Sequence, residues 1–122
     1  MSFAYEANLV CQAFVADTDL SLDQYKAVKM LTTEKIALAS DDGDFLFGVL
    51  QDAPTAQGQT CLVAMEGITK AVGGAAINAG VKVEITTGGK FVTYSNGPLA
   101  GIAVNACGGI NQLFSLKICR DV

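Results

Sequence analysis

The chain has 122 residues, enough for one domain or for two small halves that share a core. It is 51% hydrophobic and 16% charged, with a net charge of −4 and no histidine, a balance that argues against disorder and against a basic nucleic-acid-binding patch. No segment reaches the ~18 consecutive apolar residues of a membrane span, and charge this sparse points to a surface partly covered by a partner.

The N-terminus, Met1-Ser2-Phe3-Ala4-Tyr5-Glu6, lacks the basic start and apolar stretch of a signal peptide, so the chain is expected to stay in the compartment where it is made. Residues 1–20 read as a first strand or as an extended N-terminal arm that pairs with another chain. Apolar residues recur through it, and Phe3, Tyr5, Leu9, Val10 and Phe14 are the candidate contact residues. Adding a strand to an exposed sheet edge is an economical way to bind, because the main chain supplies the hydrogen bonds.

Strands are expected next over 25–31 and 34–40, the second alternating apolar with small or polar residues. Asp41-Asp42-Gly43-Asp44 is turn chemistry. Its spacing fails the calcium-loop pattern and no glutamate closes it, so an acidic turn is expected there, with no metal site. Further strands are expected over 45–51 and 59–66. Gly48 inside the first of these suggests a bulge or a close backbone approach. Gly73 to Gly80 reads as a connector with room for one helical turn.

The second half repeats the first. AVKMLTTEKIALASDDGDFLFGVLQDA at 27–53 matches GVKVEITTGGKFVTYSNGPLAGIAVNA at 80–106, from Val28 against Val81 to Ala53 against Ala106. Strands are expected over 81–86, 90–95, 99–105 and 111–119, with Gly101 in the place of Gly48. Gly88-Gly89-Lys90 reads as a hairpin turn. In the last strand Phe114, Leu116 and Ile118 form the core face, opposite Leu113, Ser115 and Lys117. The fold expected is all-β: a small β-sandwich or barrel built from two repeated β modules, with an extended N-terminal arm. Residues 21–122 form one β domain of two pseudo-repeats, about 27–79 and 80–122.

Chemistry is harder to find. Cys11, Cys61, Cys107 and Cys119 form no C-x-x-C pair, and free thiols are expected, buried at Cys61 and Cys119. Nucleophilic catalysis lacks a histidine base. Gly73-Gly74 and Gly108-Gly109 fit no phosphate-binding loop. No catalytic, cofactor or metal residues are assigned, and the chain reads as a non-enzyme.

Several segments then fall in a telling order. Phe47-Gly48-Val49-Leu50 precedes Gln57-Gly58-Gln59, Val63 and Glu66-Gly67-Ile68-Thr69-Lys70. Gly74-Ala75-Ala76-Ile77-Asn78-Ala79-Gly80 and Gly101-Ile102-Ala103-Val104 follow. From about Tyr25 to its end the chain resembles the small decoration or capsid cement proteins of tailed phages. The resemblance implies a virion protein, made in the host cytoplasm and bound to the outer capsid surface. It implies contact with the major capsid protein and an oligomer, for which a homotrimer suits local threefold joints. No nucleic acid, membrane or cofactor is implied. The other reading is a carbohydrate- or host-recognition module, with Tyr5, Tyr25 and Tyr94 as its candidate aromatic patch.

Overall fold

The computed structural model describes residues 4–40 and 45–119. Phe3 and the expected acidic turn at 41–44 lie outside the described residues. The strands are β1 (Ala7–Val15), β2 (Ala27–Met30), β3 (Ile36–Leu38), β4 (Gly48–Leu50), β5 (Thr60–Val72), β6 (Lys82–Ile85), β7 (Phe91–Thr93), β8 (Leu99–Ala103) and β9 (Leu113–Ile118). The all-β expectation is borne out. These strands form one antiparallel sheet that curls into a half-barrel.

The order along the sheet is β3-β2-β4-β5-β9-β8-β6-β7, with β1 also paired to β5. The long strand β5 is the spine. Its Val63 pairs with Gln12 of β1 and with Leu50 of β4, so those strands flank it on opposite sides. Its Ile68 pairs with Ala7 of β1 and with Lys117 of β9. Thus β1 follows one side of β5, while β4 and then β9 follow the other.

Hydrogen bonds recur along the chain. β2 pairs with β3 and β4, and β6 pairs with β7 and β8. Ala16 bridges Ile36 in parallel, and Gly73 bridges Phe91 in parallel. Ala16 N donates to Gln59 O, and Gly73 N donates to Gln112 O. Leu31 N donates to Lys35 O, and Thr86 N donates to Lys90 O. Val28 pairs with Gly48, and Val83 pairs with Gly101. Val28 and Val83 are thus each registered with a glycine of a later strand.

That glycine is required by close approach. A Cβ at Gly48 would overlap Ala64 O, and one at Gly101 would overlap Lys117 O. The backbones of neighbouring strands leave no room for a side chain there. The ladder also slips a residue between Val83 and Glu84, a bulge that bends β8.

Two clusters of buried side chains fill the curl. One gathers Ala16, Leu20, Val28, Ile36, Leu50, Cys61 and Val63. The other includes Ile77, Val83, Phe91, Ala103, Phe114 and Leu116, together with Ala27, Ala39, Leu46 and Val49 from the first half. Phe91 and Phe114 meet edge to face with centroids 6.2 Å apart, a favourable arrangement of ring quadrupoles.

Three local expectations change. β5 runs on to Val72, where a strand over 59–66 was expected, because β9 continues the ladder after β4 ends. Residues 73–80 hold no helical turn: Gly73 and Ile77 bridge Phe91 and Cys107, with a bend at 74–75 and a turn at 79–80. The one helical element among the described residues is a 3-10 turn at Thr87–Gly89, inside the expected hairpin turn. Cys119 is half-buried, whereas Cys107 is buried, its thiol 3.3 Å from Gly109 O.

Candidate functional site

No three His, Cys, Asp or Glu side chains converge as a metal site among the described residues. One hollow of about 210 Å³ is lined by Asp19, Ser21, Leu22 and Asp23. Its groups are already committed. Asp23 pairs with Lys26 at 3.1 Å, and Asp19 accepts from Ser21 N at 2.9 Å. Those Ser21 hydrogen bonds hold the Asp19 carboxyl below its ordinary value. Nothing in the hollow is poised for proton transfer or nucleophilic attack.

Two of the thiols are quiet as well. Burial, with the Asp52 carboxylate second, pushes the Cys61 thiol up. Burial, with Glu6 second, does the same to Cys11. A raised thiol is protonated at neutral pH and is a poor nucleophile.

The surface that remains is the edge of the sheet. β1 is nine residues long and pairs with β5 alone among the named strands, and its other side is engaged just past its end, where Ala16 bridges Ile36. The expected contact residues fall on it unevenly. Tyr5 and Val10 project, at 44% and 51% exposure. Leu9 is half-buried. Phe14 turns inward, edge to face with Phe47 at 5.1 Å, and packs on the core of the first half.

Just before β1 the chain is pinned to β9, the strand on the other side of β5. Tyr5 N donates to Ser115 Oγ at 2.7 Å, and Ser115 Oγ donates to Tyr5 O at 3.1 Å. Asn105 Oδ1 accepts from Ser115 N at 2.8 Å. Ser115 lies on the expected outer face of β9 and is nonetheless fully buried, because Tyr5 and Asn105 cover it. The alternation of the strand does not reveal this, since the cover comes from residues far away in sequence.

Other exposed apolar residues escaped sequence reasoning. Leu22 is 87%, Phe45 77% and Ile110 63% exposed. They sit outside the strands, where alternation gives no signal. Of the three tyrosines, Tyr5 precedes β1, Tyr25 precedes β2 beneath the Lys70 ammonium, and Tyr94 follows β7.

A strand edge with one side largely unpaired and apolar side chains at the surface suit a chain to assembly. Residues 15–118 match the family described as phage cement protein. The chain belongs to that family. Among solved structures, this cement protein is similar to the N base of head fiber gp8.5 in bacteriophage phi29. That likeness has a TM-score of 0.70 at 19% identity, and covers 92% of this chain and 95% of the other. At that identity the likeness establishes a common fold. Comparison with curated proteins gives no match.

Proposed function

We propose that the chain decorates the outer surface of a phage capsid and stabilises the shell by bridging neighbouring capsid subunits. The match to phage cement proteins over residues 15–118 carries this reading. Its direct partner is the major capsid protein, and it acts as a homotrimer at a local threefold joint. A binder that spans two subunits adds free energy that must be lost before they part. An oligomer multiplies that effect without new chemistry. The projecting Tyr5, just before β1, and Val10, within it, support a strand-edge contact. The internal repeat belongs to the same reading, and the recurring bridges of Ala16 and Gly73 support it.

Co-sedimentation with capsids stripped of the protein tests this. The expected outcome is saturation at a fixed copy number per joint and a higher temperature of DNA release. Val10→Asp should weaken binding and leave the circular dichroism spectrum unchanged. Deleting 2–16 is the poorer experiment, because Phe14 and Ala16 belong to the packing of the first half. Shells that release DNA at the same temperature with and without saturating protein would refute the bridging role.

A further inference from the structure

The recurring bonds have one asymmetry, and it lies at the two ends of the repeat. Tyr25 adopts a left-handed backbone, φ 66°, and its N–H donates to Leu50 O. Gly80 holds the same place in the second half, with φ 83° and its N–H on Ala103 O. Tyr25 O accepts from Val72 N at 3.0 Å, at the end of β5. Val15 ends β1 as Val72 ends β5, for each precedes a residue whose N–H is bonded to a glutamine carbonyl. Successive amides of a strand point to opposite sides. Because Ala16 N bonds to Gln59 O, the Val15 N–H points away from β5. Among the described residues neither the Val15 N–H nor the Gly80 carbonyl has a partner.

The side chains show the same asymmetry. Ala27, Ala39 and Val49 are buried against the core of the second half. The corresponding places there hold Lys82, Tyr94 and Ile102: Ala39 N bonds to Ala27 O as Tyr94 N bonds to Lys82 O. Val49 pairs with Ala27 as Ile102 pairs with Lys82. Ala39 is 1% exposed and Tyr94 is 42% exposed. The second half thus leaves open the face that the first half buries.

We infer that β5 closes one module and opens the next, and that a second copy of this chain continues the series head to tail, its Val15 N–H donating to the Gly80 carbonyl and the Val15 end of its β1 covering Lys82, Tyr94 and Ile102. The contact between copies repeats the contact between halves. It is heterologous, so the copies close into a ring when the rotation allows. This rests on the homo-oligomer of the proposed function and is independent of capsid binding.

Two variants test it in the full chain without capsids. Val15→Pro removes an outward N–H and no ladder bond, a substitution that edge strands accept. Tyr94→Glu places a charge on the opposite surface, at an exposed site. By sedimentation velocity the wild type should be oligomeric and each variant monomeric, with unchanged circular dichroism. An equimolar mixture should give a one-to-one dimer and nothing larger, since one intact head meets one intact tail. If Val15→Pro unfolds, Ala13→Glu, at an exposed position of β1, replaces it. A monomeric wild type, a variant that keeps the wild-type oligomer, or a mixture that stays monomeric overturns the inference. Capsid co-sedimentation is scored separately. Intact binding with an unchanged oligomer in both variants removes the head-to-tail contact and keeps the cement reading; absent binding by a head-to-tail wild type does the reverse.

Discussion

Gly101 and Gly58 are both glycines, and their replacement has different costs. At Gly101 a methyl group would meet the Lys117 carbonyl of the paired strand, which is backbone and cannot move aside. Gly58 has open space around it, and its φ of 89° alone resists a side chain. Gly101→Ala should therefore cost about 2–3 kcal/mol of unfolding free energy, near the top of the usual range for single substitutions. Gly58→Ala should cost about 1 kcal/mol. Urea denaturation of both variants measures the difference. Titration gives a second prediction at this scale. The Cys61 thiol is raised in the folded chain, chiefly by burial. As pH rises, the unfolded thiol ionises first, at roughly 8.5, and the folded one later. The stabilisation is full below the unfolded value and is lost as pH climbs through the folded value. The urea midpoint should fall in that window, and Cys61→Ala should flatten the fall.

Among the elements, β9 is the one most legible in the sequence. Phe114, Leu116 and Ile118 alternate with less apolar residues, and the first two are fully buried while Ile118 packs against the same core. Phe114→Ala should cost about 3–5 kcal/mol, by removing a ring from a filled core, and the loss is readable as a drop in thermal midpoint. The strand positions were largely legible for the same reason: short runs of β-formers ended by Gly, Asn and Asp turns. Lengths were less so. β5 continues through Gly67, where the glycine suggested an end, since pairing with β9 holds the strand beyond it. Of the candidate contact residues, alternation alone did not separate Val10, which projects, from Phe14, which turns in. Two register shifts in the β1–β5 ladder, one on either side of Val10, change which side chains face the core.

At the scale of the whole molecule, the strand order reads the same from either end, with a three-stranded flank on each side of the β5–β9 pair. One strand joins the two halves. β5 supplies Cys61 and Val63 to one buried cluster and Ala71 to the other. Fragments 1–66 and 67–122, expressed separately, should each lack the cooperative thermal transition of the intact chain, as monitored by near-ultraviolet circular dichroism. The sequence reads as one β domain of two pseudo-repeats, and it gave no sign that one strand would serve both buried clusters.

β5 also determines how the molecule responds to a pull. Its neighbours lie alongside it, β1 on one side and β4 and then β9 on the other. Tension applied along its length loads those hydrogen bonds together, in shear. They do not peel apart one at a time, as they would if the force acted across the strand. Tension that drags one end of β5 away from the other therefore meets the combined resistance of both ladders, so the sheet is stiffer along β5 than across it.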